Sequence, residues 1–246
     1  LMVENPIRLC VWSGPRNIST ALMYSFAQRA DTTVYDEPFY AHYLVNSDAK
    51  EYHPGAGEII AAMENDGEKV VADIILGPQP TPIVFFKQMT HHLIKLDREF
   101  MQRTTNVILT RHPRDMLPSY AEQVNEPTLT DVGYKIHLNL IEYLRSLGQE
   151  PVVLDSEETL KNPRSVLEKL CSRIGIPFDG AMLSWSSGSR PEDGVWAQYW
   201  YTKVHNSTGF QKYKPKTEAF PEHLNSLLEE CMPYYEVLAR QAITAD

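Results

Sequence analysis

Two stretches of this 246-residue chain place cations and hydroxyls where a short apolar run gives way to an amphipathic one. The first is Ser13-Gly14-Pro15-Arg16-Asn17-Ile18-Ser19-Thr20, directly after the apolar run Ile7 to Trp12. Amide groups at a helix N-terminus lack intrahelical partners and carry a partial positive charge, so an anion binds there readily. Arg16 adds a fixed charge, and Ser19 and Thr20 add hydroxyl donors. The plain alternative is an ordinary strand–helix turn capped by Asn17 or Ser19. The second stretch is Asn106-Val107-Ile108-Leu109-Thr110-Arg111-His112-Pro113-Arg114-Asp115. Arg111 stays charged and can grip a phosphate through two parallel hydrogen bonds. Ser119 lies eight residues on and can reach back toward the same anion, and Pro118 should bend the helix beside it. Arg114 has a simpler role available, pairing with Asp115 or Glu122 at the surface.

The first stretch invites comparison with the nucleoside-triphosphate loop GxxxxGK[ST]. Aligned on Gly14, Ser19 stands for the second glycine, Thr20 for the lysine and Ala21 for the hydroxyl that holds Mg²⁺. The lysine and the metal-holding hydroxyl are absent, which disfavours metal-dependent hydrolysis of ATP or GTP.

Elements that could position these residues follow a βαβ rhythm. Strands are expected at Ile7 to Trp12, Thr33 to Tyr35, Ile83 to Lys87, Asn106 to Thr110 and Pro151 to Asp155. Helices are expected at Ser19 to Arg29, Glu58 to Asn65, Leu93 to Met101, from Pro113, Asp131 to Leu147, Ser165 to Ile174 before Gly175, and Pro221 to Arg240. Val70 to Asp73 reads as a brief strand or helix end, and Gly77 to Pro82 as a proline-rich loop. Ser184 to Phe210 is aromatic-rich and aperiodic, the pattern of a long loop or lid. The expected architecture is one three-layer α/β domain over residues 1–246, a central mostly parallel sheet flanked by helices.

Composition bounds the partners. Hydrophobic residues make up 43% and charged residues 22%, enough for a substantial core, and the net charge is −9. An acidic chain is a poor match for nucleic acid or a sulfated polysaccharide. The three cysteines form no CxxC pair and sit near no histidine at zinc spacing, so buried thiols in a reducing compartment are expected. With no secretory leader or membrane-length apolar run, a cytoplasmic location without membrane contact follows as an expectation. Oligomeric state is left open.

The two junctions taken together resemble the sulfotransferase family, whose donor is 3′-phosphoadenosine 5′-phosphosulfate (PAPS) and whose nucleotide product is adenosine 3′,5′-bisphosphate (PAP). The resemblance implies a P-loop-like fold and no metal. It matches Arg16, Asn17, Ser19 and Thr20 to the 5′-phosphosulfate site, and Arg111 and Ser119 to the 3′-phosphate site. It extends through Asp155 to Gly175, and to a nucleotide-covering loop at His205 to Phe210 that includes Gly209. The family's first loop usually reads Pro-Lys-Ser-Gly-Thr followed by Trp. Here Arg16 replaces the lysine and Ala21-Leu22 leave no tryptophan. The adenine would then stack on Phe210 or on a tryptophan of the 185–200 region.

Sulfuryl transfer needs a base for the acceptor proton and cations for charge growing on the leaving phosphate. Lys87 resembles the lysine that precedes the catalytic histidine of cytosolic members, but Met89 occupies the histidine's place and the histidines fall at His91 and His92. Glu37, in Asp36-Glu37-Pro38, resembles the acidic base of carbohydrate-type and bacterial members. Glu37 and His91 are thus both candidate bases. Tyr40, His42, His92, Trp196 and Tyr199 are the expected acceptor contacts, on the argument that clustered aromatics hold a small molecule. The resulting expectation is transfer from PAPS to a hydroxyl or amine of a small acceptor. A divergent P-loop kinase and a non-catalytic nucleotide-binding protein of the same fold are the alternatives.

Overall fold

The computed structural model describes residues 1–246. Its centre is a five-stranded sheet in the order β2-β3-β1-β4-β5, with β1 Ile7–Ser13, β2 Thr32–Asp36, β3 Ile83–Met89, β4 Thr105–Thr110 and β5 Val152–Asp155. Every pairing is parallel. Alternate residues of a strand point to opposite faces. Accordingly Leu9 and Val11 join one buried cluster with Leu22, Phe26, Leu167 and Leu170, while Cys10 and Trp12 join the other with Phe86, Ile141 and Leu238. Helices cover both faces, which is why the strands read as near-continuous apolar runs. The expected three-layer α/β architecture is observed.

The chain order sets where a crevice opens at the edge of the sheet. From β1 the chain crosses toward β3 and β2, whereas from β4 it crosses to β5 on the other side. In open parallel sheets such a reversal leaves a crevice beyond the strands' carboxyl ends. The loops after β1 and β4 therefore face each other across it.

Several local expectations are corrected. The helix expected over 93–101 is absent: Lys95 adopts a positive φ of 47°, and only a 3₁₀ turn forms at Glu99–Arg103. The helix expected over 131–147 breaks at Gly133 (φ 84°) into Leu129–Val132 and Tyr134–Ser146. That break brings the Val132 carbonyl so close that a side chain at Gly14 would place its Cβ 3.0 Å away. Val70 to Asp73 belongs to a π-helix, Val70–Ile75. Helices at Tyr40–Val45 and Ser156–Lys161 are additional, each too short to show a clear period. The aperiodic stretch 184–210 holds two short helices, Ala197–Trp200 and Thr202–His205, and it buries Trp185, Trp196 and Tyr201.

Cys10, Cys171 and Cys231 are buried and unpaired. No helix is long and apolar enough to cross a membrane. No group of three or more His, Cys, Asp or Glu side chains is arranged to hold a metal ion.

Candidate active site

A cleft of about 880 Å³ opens at the carboxyl ends of the strands. Arg16, Asn17, Ser19, Thr20, Arg111 and Ser119 line it, together with Glu37, Lys87, His91 and His92. Tyr40, Trp196, Gly209 and Phe210 complete its walls. One cavity thus gathers residues spread over most of the chain.

The first junction is not closed by a side-chain cap. Helix α1, Ser19–Ala27, has no side-chain hydrogen bond at its N-terminus, so its first amides remain available. Neither capping assignment holds: Asn17 turns its oxygen to the Ile18 amide (2.8 Å) and to the Ser156 hydroxyl, and its amide donates to the Leu109 carbonyl (3.3 Å). Asn17 therefore ties β1, β4 and the Ser156–Lys161 helix together beneath the loop. Arg16 holds a positive φ of 53°, a costly backbone state for a residue with a side chain. Its Nε donates to Ser119 Oγ at 2.9 Å.

The second junction meets the first directly. Arg111 donates to the Arg16 carbonyl at 2.5 Å, and Tyr134 donates to the Arg111 carbonyl at 2.6 Å. Burial pushes the Arg111 pKa down, while Asp115 and Tyr134 oppose this. No carboxylate lies within ion-pair distance of Arg16 or Arg111. Two half-buried guanidinium groups with backbone and hydroxyl partners alone leave most of their donors for an external anion. Ser119, expected to reach the same anion as Arg111, accepts here from Arg16 Nε.

Opposite these arginines lies a buried ionic cluster. Strand register sets Asp36 opposite Lys87. Lys87 donates to Glu37 at 2.9 Å, to Asp36 at 3.3 Å and to the Tyr201 hydroxyl at 2.5 Å. Burial works to lower the Lys87 pKa, but Asp36 and Glu37 outweigh it and hold the value above that of an ordinary lysine. The Asp36 pKa rises to about 6, first from burial and then from neighbouring Glu37, with Lys87 opposing. Glu37 is itself strained, at φ 44°. Strained residues with side chains gather at functional sites.

The histidines behave differently. Burial pushes His91 down to about 4, partly opposed by Glu37, and pushes His92 well below the usual range. His92 lies sandwiched between Tyr40 (5.0 Å) and Tyr43 (4.8 Å), and its Nδ1 is buried without a partner. Both imidazoles are neutral at physiological pH. With Tyr52, His53 and Trp200 they give this end of the cleft an aromatic, uncharged wall.

Two expected acceptor contacts lie elsewhere. His42 is buried, bonds to the Ile94 carbonyl at 2.7 Å and packs on Gly67, so it does not line the cleft. Tyr199 points outward, 42% exposed, over Gly55. Both sit in irregular or short elements whose facing no periodicity reveals. Trp185 is buried, donates to Ser207 at 3.1 Å and meets Phe210 edge-on at 5.2 Å. Phe210 is thus propped by the core with one part open to the cleft. Asp36 and Tyr201 emerge as members of the polar cluster that the sequence did not single out. Asp36 had a visible cue, its place at the end of β2; Tyr201, 114 residues from Lys87, had none.

A family model described as a sulfotransferase domain matches residues 7–242. The chain is 40% and 41% identical, over 228 residues and 92% of its length, to branched-chain-amino-acid aminotransferase-like proteins 2 and 1 of Arabidopsis thaliana. It spans only 40% of the length of those two relatives. Its fold is similar to that of the sulfotransferase domain from the curacin biosynthetic pathway, with a TM-score of 0.54 at 15% identity, covering 97% of this chain and 99% of that one. It is likewise similar to a sulfotransferase from Alicyclobacillus acidocaldarius, with a TM-score of 0.53 at 12% identity and 98% coverage of each chain. A match across nearly the whole sequence, on a sheet whose carboxyl edge carries both cationic junctions, places this chain in the sulfotransferase-domain family.

Proposed function

We propose that the domain moves a sulfuryl group from PAPS to a hydroxyl or amine of a small acceptor. One observation carries this reading: Arg16 and Arg111, brought from two separate strand–helix junctions, share one crevice and have no carboxylate partner there. A ligand with two separated anionic groups suits that pair. The donor set also fits the nucleotide. The uncapped start of α1 with Ser19 and Thr20 suits a 5′-phosphosulfate, Arg111 a 3′-phosphate, and half-exposed Phe210 an adenine face.

PAPS supplies the sulfuryl group and a phosphate leaving oxygen. The chain's own part is to orient the acceptor, remove its proton and balance charge. Glu37 is favoured over His91 as the base. It stands on a strained backbone at the carboxyl end of β2, beside a lysine. His91 instead meets the rings of Tyr43 and His92 edge-on at 5.0 and 4.7 Å, within the aromatic wall. Lys87 would neutralise negative charge growing on the leaving oxygen, in a site where burial strengthens such interactions. The small acceptor reading is supported by the aromatic wall of Tyr40, Tyr43, His92 and Trp196.

Calorimetry with PAP, AMP and ATP, without added metal, tests the reading. Clear preference for PAP is expected. Equal binding of PAP and AMP would remove the case for a 3′-phosphate site, and preference for ATP with Mg²⁺ would favour a kinase. Tight PAP binding with no turnover of labelled PAPS across phenols, alcohols and amines would favour a non-catalytic nucleotide binder.

A further inference from the structure

The ionic cluster holds more polar groups than a base and a cation require. Glu37 and Lys87 line the cleft, but Asp36 lies behind them, its side chain 1% exposed against 10% for Glu37, and the cleft does not reach it. Its carboxylate is nonetheless saturated: the Gly194 amide donates to Oδ2 at 3.1 Å, Lys87 to Oδ1, and the Tyr201 hydroxyl oxygen lies 2.8 Å from both oxygens. Tyr201 in turn accepts from Lys87 and from Trp196 Nε1 (3.0 Å), and the Lys87 ammonium sits 4.6 Å above its ring. The hydroxyl oxygen also lies 3.3 Å from Glu37 Oε2, but its contacts with Asp36 are shorter, so its single proton goes chiefly to Asp36. The cluster also joins β2 and β3 to the 194–201 segment, which forms one wall of the cleft.

An ammonium paired to one carboxylate alone would neutralise it and make it a poor base. Here Lys87 has two further partners, so Glu37 can lose its contact without leaving a buried charge alone. We propose that Asp36 and Tyr201 are positioning residues that hold the Lys87 ammonium in place and so free Glu37 to take the acceptor's proton. The proposal rests on the reading of Glu37 as the base. In the step concerned, the acceptor O–H bond breaks and its proton bonds to Glu37. The oxygen's electron pair forms the new bond to sulfur, while the bond from sulfur to the bridging phosphate oxygen breaks and its pair leaves on PAP. Lys87 keeps its three protons throughout. The titratable groups facing this cluster are Tyr24 from α1, Tyr40, His53, His91 and His92 from the turn after β3, and His205, whose ring meets Tyr201 edge-on at 6.1 Å.

The discriminating variant is Tyr201→Phe, because it changes no formal charge. The Glu37 carboxyl is followed by NMR on protein carrying ¹³C-labelled glutamate, its signal assigned with Glu37→Gln, while PAP calorimetry reports an intact donor site. Without the hydroxyl, Lys87 leans onto Glu37, and the midpoint read from the Glu37 signal falls below that of the unaltered protein. Asp36→Asn gives a larger fall in the same direction. On any acceptor that turns over, Tyr201→Phe lowers kcat roughly tenfold with the donor KM unchanged, as misplaced groups do. The acid limb of its pH profile then moves with the NMR midpoint. An unchanged midpoint in Tyr201→Phe with normal PAP binding overturns the proposal. If that variant does not fold, Trp196→Phe, which removes one hydrogen bond to Tyr201, is expected to shift the midpoint the same way, and no shift there overturns it equally. Loss of PAP preference in the unaltered protein would instead remove the donor reading, and the NMR result would still decide the cluster's role.

Discussion

Arg16 Nε donates to Ser119 Oγ at 2.9 Å, joining the loop after β1 to the helix after β4 across 103 residues of sequence. With Arg111 donating to the Arg16 carbonyl, the two junctions form one cationic unit rather than two sites that happen to be adjacent. Binding at one end of a donor nucleotide would therefore order the other.

Removing either arginine tests that unit. Arg111→Ala is expected to weaken PAP by about 1.5–3 kcal/mol, the range of a hydrogen bond to a charged group, and AMP by much less. Arg16→Ala should weaken both, because Arg16 belongs to the loop at the start of α1. Calorimetry of the two variants against both nucleotides checks this. Equal losses for PAP and AMP in Arg111→Ala would unseat the 3′-phosphate assignment.

The two candidate bases can be separated by rate. Glu37→Gln keeps the shape of the side chain and removes its ability to accept the proton, so turnover of labelled PAPS should fall roughly 10²- to 10⁴-fold. His91→Ala, taking away a neutral imidazole from the aromatic wall, should act chiefly on acceptor KM. The reverse pattern would make His91 the base.

Lys87→Met should unfold at markedly lower urea. It leaves Asp36 and Glu37 buried without their cation, and breaking a buried pair costs about 3–5 kcal/mol. If Lys87→Met proves as stable as the unaltered protein, the cluster is better hydrated than its burial implies.

Buried neutral histidines predict acid sensitivity. His137 is 2% exposed, bonds Thr90 at 2.8 Å and has its pKa pushed down to about 3 by burial. An unfolded histidine binds its proton below about 6.5, so below that pH the unfolded chain takes up protons the fold refuses, and stability falls as pH falls. By pH 5 this one residue should account for about 2 kcal/mol. Asp36, raised to about 6, acts in the opposite sense over the same interval. The effect of His137 is therefore read as the difference in urea unfolding between the protein and His137→Gln at pH 7 and pH 5. A pH dependence identical in the two would contradict it.

Gly133→Ala should cost about 1–2 kcal/mol, since φ 84° lies where a side chain meets its own carbonyl. It should also weaken PAP. The Val132 carbonyl that packs on Gly14 is set by this turn, and any shift passes into the anion loop. A loss of stability with unchanged PAP affinity would show that the loop holds its shape independently.

The strands and the two basic junctions are legible in the sequence because local rules govern them. A parallel strand buried on both faces must be an unbroken apolar run, and the residues that follow it emerge at the sheet's carboxyl edge. Hence Arg16, Ser19, Thr20 and Arg111 can be named from their places after strands, while Glu37 and Lys87 are named by adding the family resemblance to such places. The aromatic segment obeys no such rule. Trp185, Trp196, Tyr199 and Tyr201 look alike in sequence, yet Trp185 and Trp196 are buried in different clusters, Tyr199 faces outward and Tyr201 reaches Lys87. Only contacts between residues far apart in the chain assign those roles. The same holds for Ser119, whose contact with Arg16 no local spacing reveals. Local pattern determined where the strands run and where cations leave the sheet. Tertiary packing decided which partner each charge finds, because a buried charge takes whichever complementary group the packed elements bring within reach.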